Sequence, residues 1–478
     1  PYPHFNTIVL EGEQTHLESA FALKRAAILD AAGTVLRSGY KDFQTDYVAM
    51  RDFIQAQNVS LALCSYANSP GCFEAARDSN IPDIITAAYA AFPDAGAPYV
   101  NNQILTMKNP TTLQMGFIQR FYDMFVVPVK AWLRMKPHGD WINGLRRLSN
   151  CSITYLEYEP WAHKNSLKLI NSLFGMETAR PLGPLVEFIG PIMEREYSSL
   201  TTDLKEYLDS HSHVIYIAFG QHAVATESDL KLIMTGIMES IEAGAYDGFL
   251  WASRKGAEAF PKEIKTKSGN VYQVNDMFKG FYSNLRFVSW APQTAVVMHP
   301  SVSTFLTHGG AVSMFEGLYA GKRLIVFPFY GDQFINAHNT KYRGLGDYLS
   351  PELKQEEASN IIINVGRDVD NKIQSNIGRY RALVQIHSQR GVTRGADLVE
   401  EVLFVSKNSQ LPYRYEVARQ MSYVKSHNLD LIVAALFLTV IGFSIFVALI
   451  KAFARHILVQ EWVKFRTIFP SSLKMKTN

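Results

Sequence analysis

An uninterrupted apolar run near the C-terminus constrains this chain more than any other feature. From Leu431 to Ile450 the sequence has twenty residues without a charged side chain, flanked by Asp430 and Lys451. A helix of that length spans the hydrocarbon core of a bilayer and satisfies its own backbone hydrogen bonds there. A buried core helix is the alternative, but core helices this long normally keep a polar stripe. The run therefore predicts one transmembrane helix over residues 431–450.

The flanking charges give a slight preference for orientation. Four Lys or Arg follow the run and three precede it within about twenty residues, which favours a cytoplasmic tail over residues 451–478. The last five residues, Lys474 to Asn478, fit the KxKxx pattern that resembles an endoplasmic reticulum return signal. These features predict a single-pass type I protein of that membrane with lumenal domains. Asn58 and Asn150 would then begin N-glycosylation sequons.

The N-terminus lacks the features of a secretory signal. The first sixteen residues contain no Met, no basic region and no apolar core. A lumenal protein needs such a signal, so either the mature chain starts here after processing or the sequence lacks its true beginning. We expect the second, and hence an incomplete N-terminal domain.

Length and composition indicate two packed domains. A chain of 478 residues exceeds the size of most single cores, so a cleft between two domains is expected. The formal charge of +3 comes from 47 basic and 44 acidic residues and forms no basic stripe, which argues against nucleic acid as a partner. The three cysteines, Cys64, Cys72 and Cys151, have no metal-ligand spacing and allow at most one disulfide.

The first half of the chain alternates helical and strand-like segments. Helical patterns cover residues 47–57 and 72–77, and short apolar runs cover residues 59–63 and 81–85. Such alternation predicts a parallel α/β sheet. A Pro/Gly-rich stretch over residues 181–191 ends the pattern and marks a candidate linker.

The second half has a clearer rhythm of five apolar strands with helices between them. The predicted strands are 214–219, 249–251, 285–288, 304–307 and 324–327. They indicate a doubly wound sheet, followed by helical segments over residues 373–388 and 396–406. The predicted organisation is an N-terminal domain 1–190, a linker 191–212, a C-terminal domain 213–408, a juxtamembrane segment 409–430, the helix 431–450 and the tail 451–478.

The densest cluster of candidate functional residues lies in the 44 residues from Trp290 to Gln333. Within it, a buried strand leads into the loop His308 to Gly310, and a helix containing Ser313 follows. A strand, a glycine loop and a helix N-terminus form an anion site, where backbone N–H groups can bind a diphosphate.

Three carboxyl or amide side chains complete the candidate site. Glu316, one turn into that helix, is placed to accept hydrogen bonds from ribose hydroxyls. Asp332 and Gln333 follow the next strand, at the sheet edge where open α/β sheets bind ligands, and are placed for sugar hydroxyls.

This stretch resembles the signature of the family 1 UDP-glycosyltransferases in its length, its internal spacing and its terminal Asp-Gln pair. The resemblance implies that Trp290 stacks on uracil and that Gln293 contacts the nucleoside. It also implies that His308 meets the phosphates and that the last pair holds the hexose. The predicted donor-binding residues are Trp290, Gln293, His308, Gly310, Ser313, Glu316, Asp332 and Gln333.

The likeness extends beyond the signature. Residues 214–220 look like the first strand and phosphate loop of the family's C-terminal domain, and residues 427–450 are similar to the membrane approach of animal UDP-glucuronosyltransferases. The family has the GT-B architecture, so the resemblance implies two Rossmann-like domains that face each other across a cleft. A UDP-sugar would bind the C-terminal domain, and a lipophilic acceptor the N-terminal domain.

The sequence also departs from the family pattern. Val312 stands where Asn is usual, Arg323 where Pro is common, and Gln221 where Ser is usual. The family's catalytic His follows the first strand of the N-terminal domain, and His16 fits that position poorly. No carboxylate lies near Tyr66, where the Asp that orients this His is expected. The catalytic residues are therefore unassigned.

We expect transfer of glucose or glucuronic acid from a UDP-sugar to a hydroxyl of a lipophilic acceptor. The resemblance implies inversion at the anomeric carbon, no metal and no cofactor. An alternative is a catalytically impaired membrane subunit that binds UDP-sugar or partners an active transferase in a homo- or hetero-oligomer. A NAD-dependent reductase is disfavoured, because no G-x-G-x-x-G follows a strand.

Overall fold

A computed structural model describes most of the chain as two compact units. The described residues are 39–66, 70–89, 111–152, 163–221, 225–253, 256–408 and 410–468, with isolated positions at 33, 36, 37, 97, 99 and 223. The first unit ends at Tyr415 and the second begins at Glu416. His16 and the KxKxx pattern of the last five residues lie outside the described residues.

The first unit begins with a four-stranded parallel sheet in the order β1-β2-β3-β4. Its elements are α1 (Phe43–Gln57), β1 (Ala62–Ser65), α2 (Pro70–Asp78), β2 (Asp83–Ala87), α3 (Phe117–Phe121), a π-helical turn (Tyr122–Val126), α4 (Val127–Leu148), β3 (Leu167–Ile170) and β4 (Val186–Phe188). All four residues of β3 are buried, as expected for a parallel strand that is covered on both faces. The predicted parallel α/β sheet is confirmed.

A disulfide joins the first strand to the helix that follows it. Cys64 of β1 and Cys72 of α2 are bonded, with their Cα atoms 5.8 Å apart. Cys151 is buried and lies outside the disulfide. The disulfide therefore closes a short local loop at the edge of the first sheet.

A second, six-stranded parallel sheet has the order β12-β11-β10-β5-β6-β9. Its elements and the attached helices are α5 (Thr202–Asp209), β5 (Val214–Ala218), α6 (Glu227–Glu242), β6 (Gly248–Ala252), the antiparallel hairpin β7 (Glu263–Lys265) and β8 (Val271–Gln273), α7 (Val274–Phe278), β9 (Leu285–Val288), α8 (Gln293–Met298), β10 (Val302–Thr307), α9 (Ala311–Tyr319), β11 (Arg323–Val326), α10 (Gln333–Tyr342), β12 (Gly346–Tyr348), α11 (Gln355–Arg367), α12 (Lys372–Ser388) and α13 (Gly391–Val405). All five strands predicted here are present.

The second sheet has a hydrophobic core on each face. Alternate residues of β5 enter different clusters: Ile215 and Ile217 pack in one, and Val214 and Tyr216 in the other. Successive side chains of a strand point to opposite faces, so both faces of this sheet must be covered by helices. The predicted doubly wound sheet is confirmed.

Helix α13 crosses from the second sheet back to the first. Its residues Leu398 and Val402 are buried in one cluster with Leu167 and Leu169 of β3. Beyond the helix, Arg414 donates to Glu187 on β4 over 2.8 Å. The end of the segment predicted as the C-terminal domain thus completes the core of the first sheet.

The chain segments that connect the two sheets run side by side. A Cβ on Gly391, at the start of α13, would overlap with the carbonyl oxygen of Ile189, just after β4. Nearby, Arg195 donates from Nη2 to the carbonyl oxygen of Gln389 over 3.3 Å. The outgoing and returning segments are therefore in direct contact.

The second unit is dominated by one long helix. After the short α14 (Tyr423–Ser426), α15 (Leu429–Ile468) has 40 residues, about 60 Å at 1.5 Å per residue. Among the described residues, it is the one helix long and apolar enough to cross a membrane. The predicted helix over 431–450 forms its first half, and the helical continuation was not predicted.

Candidate functional site

The loop from His308 to Gly310 lies where the strand order of the second sheet reverses. Strands β6 and β9 lie on one side of β5, and β10, β11 and β12 lie on the other. Open α/β sheets bind ligands outside the carboxyl ends of the strands at such a reversal. The loops after β5 and β10 meet there, since a Cβ on Gly220 would lie 3.1 Å from Cε1 of His308. His308 therefore lies at the reversal point.

Glycine is required in the loop between β10 and α9. Gly309 has a φ of +86°, and a Cβ there would lie 2.5 Å from Cγ1 of Val326. A Cβ on Gly310 would overlap with the imidazole of His308. Glycine adopts this backbone conformation without strain and lets the loop approach other groups closely. The ring of His308 thus packs directly over the backbone that leads into α9.

A carboxylate occupies part of the N-terminus of α9. Gly310 gives this helix no side-chain cap, but the backbone N–H of Ala311 donates to Asp332. Asn336 on α10 donates to Oδ2 of Asp332 over 3.1 Å and to the carbonyl oxygen of Gly309 over 2.8 Å. Asn336 was not predicted from the sequence, and it ties α10 to the glycine loop.

Asp332 has an unusual protonation equilibrium. Burial raises its pKa most and the charge of Glu177 also raises it, whereas hydrogen bonds from Ala311 and Asn336 lower it. The net result is a pKa of about 6 instead of 3.8. Glu177 belongs to the segment between β3 and β4. A carboxyl group from the first half of the chain therefore acts on this site, and Asp332 can accept or donate near neutral pH.

Three predicted residues form one hydrogen-bonded cluster beside the glycine loop. Gln293 donates from Nε2 to Oγ of Ser313 over 3.0 Å and also to Glu316. Thr294 donates to Oε1 of Glu316 over 2.7 Å. Thr294 was missed by sequence reasoning, because a single Thr at a helix start carries no distinctive signal. The cluster holds the Glu316 carboxylate in a fixed position.

Trp290 is the exposed member of the predicted set. Its side chain lies between β9 and α8 and is 66% exposed. The next residue, Ala291, is buried. An indole fixed at its backbone and open on its surface can stack on a planar ring.

Gln333 is held inside the fold. It is buried, and its Oε1 accepts from the backbone N–H of Phe329 over 2.8 Å and of Tyr330 over 3.1 Å. These bonds fix the loop that follows β11. Contact with a sugar hydroxyl would therefore have to come from its amide nitrogen.

The departures from the family pattern have different structural settings. Arg323 is buried and donates from Nη1 to the carbonyl oxygens of Val365 and Gly366, so it closes the C-terminal end of α11. Val312 is exposed in the first turn of α9, and Gln221 is exposed after β5. Two of the three departures thus border the glycine loop.

Within the part of the chain that the structure describes, no residue is assigned as the catalytic base. His16 lies outside the described residues. The imidazole of His163 packs against the ring of Tyr66, and its Nδ1 lies 3.0 Å from Nη2 of Arg77. Burial and the charge of Arg77 lower the pKa of His163 well below its ordinary value, so it is a neutral core residue.

Comparison with known proteins gives consistent matches. The profile of the family described as "UDP-glucoronosyl and UDP-glucosyl transferase" matches residues 94–463. A UDP-glycosyltransferase of Talaromyces amestolkiae is 30% identical over 58% of this chain and 55% of its own length. UDP-glycosyltransferase 1 of Phaeomoniella chlamydospora is 28% identical over 80% of this chain and 78% of its own. UDP-glucuronosyltransferase 1A6 of Mus musculus is 26% identical over 59% and 49%.

The matches also define the fold. The chain spans little more than half the length of the first two curated relatives, which are matched over 55% and 54% of their lengths. A solved structure titled "Crystal Structure Analysis of the Glycotransferase of kitacinnamycin" superimposes with a TM-score of 0.54 and 16% identity, over 83% of this chain and 85% of that one. Two parallel sheets with helices and one apolar C-terminal helix confirm the predicted GT-B fold class. The chain belongs to the UDP-glucoronosyl and UDP-glucosyl transferase family.

Proposed function

We propose that this chain transfers a hexose from a UDP-sugar to a hydroxyl of a lipophilic acceptor, with inversion and without a metal or cofactor. One observation carries the proposal: hydrogen bonds connect the Glu316 cluster to α9, and the N-terminus of α9 to Asp332, which is the order of ribose, diphosphate and hexose in a UDP-hexose. Trp290 and Glu316 are suited to uracil and ribose, and the loop under His308 to the diphosphate. Asp332 is suited to the hexose.

The geometry supports a role in stabilising the leaving group. As the sugar–oxygen bond breaks, negative charge grows on the departing diphosphate. The N-terminal turn of α9 and His308 lie where this charge would develop, and a fixed dipole there needs no reorganisation during reaction. The acceptor hydroxyl attacks the opposite side of the anomeric carbon and loses its proton to a base.

The charges at the hexose end favour an uncharged sugar. Asp332 lies close enough to Glu177 for their charges to interact. A glucuronate carboxylate placed beside these two groups would be repelled. We therefore propose UDP-glucose rather than UDP-glucuronic acid as the donor.

The test is UDP release by the detergent-solubilised full chain, with a hydrophobic phenol or alcohol as acceptor. We expect acceptor-dependent UDP release with UDP-glucose and at least tenfold less with UDP-glucuronic acid, about 1.4 kcal/mol in the transition state. A preference for UDP-glucuronic acid would contradict the donor assignment. Release that requires an added divalent cation would contradict the metal-free mechanism.

A second candidate is a membrane subunit that binds UDP-sugar without turning it over. Val312 favours it, because this exposed apolar residue stands in the N-terminal turn beside the diphosphate loop. Calorimetric binding of UDP-glucose without UDP release for any acceptor would select this alternative.

We further propose that α15 anchors the chain in the endoplasmic reticulum membrane with residues before 430 in the lumen. The Cys64–Cys72 disulfide is typical of an oxidising compartment, and both sequon residues, Asn58 and Asn150, are exposed. Endoglycosidase treatment of the expressed chain should lower its mass, and the first unit should resist protease added to sealed microsomes. Digestion of that unit in sealed microsomes would indicate the opposite orientation.

A further inference from the structure

An exposed apolar stripe runs along α3, the π-helical turn and the first turns of α4. The stripe consists of Phe117, Phe121, Phe125, Val129 and Trp132, which are between 53% and 73% exposed. Their spacing of four, four, four and three residues puts them on one side of the helix. The ring centroids of Phe121 and Phe125 are 4.9 Å apart, which shows that neighbouring members touch.

Buried residues on the side away from the stripe begin at Val127 of α4, and α3 and the π-helical turn have none. Ile142 is buried in one cluster with Phe43 and Tyr47 of α1. Arg146, further along α4, donates to Glu74 of α2 over 2.9 Å. The earlier part, from Phe117 onward, presents its apolar stripe to solvent. Soluble monomers rarely expose a continuous apolar surface of this kind without a partner for it.

The residues beside the stripe are basic and aromatic. Arg120, Lys130, Arg134 and Lys136 lie within the same twenty residues, against Asp123 as the one acidic side chain. Lys130 donates to the hydroxyl of Tyr122 over 2.6 Å. Phe, Trp and Leu on one face with Lys and Arg beside them are typical of helices that lie in a membrane interface. The basic residues match the negative charge of anionic lipid headgroups.

The covalent structure keeps the first unit, which carries the stripe, tethered to a bilayer if α15 is the anchor. Between Tyr415 and Leu429, thirteen residues connect the first unit to α15, which gives a reach of at most about 45 Å. A tethered surface samples the membrane at high effective concentration, so weak apolar contacts are enough to hold it there.

We propose that the stripe inserts into the interface of the membrane that holds α15. The chain then has two membrane contacts, a spanning helix and an interfacial one, and the inference depends on the anchor proposed above. A second copy of the chain fits this stripe less well. Self-association would bring the basic residues of two copies together, and like charges at an interface oppose binding. The contact places the first half at the lipid surface, where lipophilic acceptors dissolve.

The first test locates the stripe in the full chain reconstituted into vesicles of phosphatidylcholine and phosphatidylserine. Spin labels are attached at Phe125→Cys, at Phe443→Cys on α15 and at Val369→Cys, a site 92% exposed and far along the sequence. The native cysteines do not interfere, since Cys64 and Cys72 are bonded and Cys151 is buried. Collisions with oxygen, which dissolves in lipid, are compared with collisions with a water-soluble nickel chelate.

We expect labels at 125 and 443 to favour oxygen and the label at 369 to favour the nickel chelate. A label at 125 that behaves like the one at 369 overturns the proposal. A label at 125 shielded from both reagents also overturns it, because protein then covers the stripe. If only the label at 443 favours oxygen, the anchor stands and the interfacial contact is wrong. A label at 443 that favours the nickel chelate overturns anchor and contact together.

The second test measures the strength of the contact. A specific protease site is inserted after Met421 of the full chain, which is reconstituted and then cut, and vesicle flotation gives the bound fraction of the first unit. We expect Phe121→Glu with Phe125→Glu to lower its partitioning about tenfold or more. The control is Val369→Glu with Phe404→Glu, two apolar residues outside the stripe that are more exposed than Phe121 and Phe125.

Thermal unfolding and UDP binding are measured on each variant to show that it is folded. Equal loss of partitioning in the control pair overturns the proposal. Complete release of the unmodified first unit from the vesicles after cleavage also overturns the proposal. A vesicle-independent dimer that the stripe variant disrupts would instead identify a second copy as the partner.

Discussion

The two sheets of the first unit differ in how their contacts are distributed along the sequence. In the second sheet, every strand except β6 leads through a short loop into a helix, and the predicted site residues all lie between Trp290 and Gln333. In the first sheet, β2 and β3 are neighbours although about eighty residues separate them. Its core also depends on α13 from the far end of the unit.

This difference fits the tasks that we propose for the two halves, donor binding in the second and acceptor binding in the first. A nucleotide always presents a ring, a ribose and a diphosphate, and a local strand, loop and helix can bind these parts in order. The first half has no such fixed template. Its polar contacts join distant segments, as between Glu74 and Arg146 or between Asp83 and Ser166. The donor half can therefore be recognised from local sequence, and the other half much less so.

The largest expected effect comes from breaking a long-range contact of the first half. Arg146→Ala leaves the buried Glu74 carboxyl without its charged partner, and burial already raises the pKa of that group. We expect the free energy of unfolding to fall by about 3–5 kcal/mol, measured by urea denaturation. Arg147→Ala, on the exposed side of the same helix, should change it by less than about 0.5 kcal/mol. Equal effects would mean that the ion pair contributes nothing.

In the second half, Glu316→Ala tests the nucleoside cluster. The change removes an acceptor for ribose hydroxyls, and a hydrogen bond to a charged group contributes about 1.5–3 kcal/mol. UDP and UDP-glucose should both bind about tenfold to a hundredfold more weakly by calorimetry. Thr294→Val keeps the carboxylate and loses only a supporting bond, so it should have a smaller effect. Unchanged binding in Glu316→Ala would indicate that the residues of the family signature do not bind UDP in this chain.

Asp332→Asn tests how much the buried charge of Asp332 lowers the free energy of unfolding. Because the folded-state pKa of Asp332 is raised to about 6, the folded protein binds the proton more tightly than the unfolded chain. The contribution of Asp332 to stability therefore falls as pH rises from about 4 to about 6 and stays low above that. We expect the variant to raise the free energy of unfolding by about 2 kcal/mol at pH 7 and by almost nothing at pH 4.

The control for this pH dependence is Asp370→Asn, an exposed carboxyl, which should shift the curve by less than about 0.5 kcal/mol at either pH. A stabilisation by Asp332→Asn that is the same at pH 4 and pH 7 would show that the titration of Asp332 is not its cause.

The smallest effect separates sugar from nucleoside within the donor half. Asp332→Ala should weaken UDP-glucose by about 0.5–1.5 kcal/mol while UDP itself binds almost as before. Glu316→Ala should weaken both ligands together. Calorimetric titration of the two variants with the two ligands gives this crossed pattern if the assignments hold. Equal loss of UDP in both variants would contradict the division between sugar and nucleoside residues.

Much of the donor half could be predicted because its signals are local. Gly309 and Gly310 indicate a loop that packs closely against other groups. The strand before this loop and the helix after it predict where the loop lies. Asn336 and Thr294 could not be predicted, since their roles depend on how two helices approach the loop in space. The buried oxygen of Gln333 shows the same limit, because its two backbone partners are visible only once the loop is folded.

The first half shows where sequence patterns fail. The apolar residues of α3 follow a helical period that is equally typical of a core helix, and only their exposure in the structure distinguishes the two cases. Likewise, α13 was predicted as a helix, but nothing in its sequence says which sheet it covers. Periodicity shows which face of a helix is apolar. Which other element that face packs against is decided by the tertiary structure.

The side-by-side connecting segments have a practical consequence. Because Ile189 touches Gly391 and Arg195 bonds to Gln389, the polypeptide leaves the first half and returns to it at nearly the same place. The stretch between them is thus an interchangeable cassette, whose two ends lie within contact distance. Domains with adjacent ends tolerate transplantation, since the host does not have to stretch to accommodate the guest. Chimaeras joined at these two positions would exchange the second half, and with it the proposed donor specificity, between relatives and keep the first half intact.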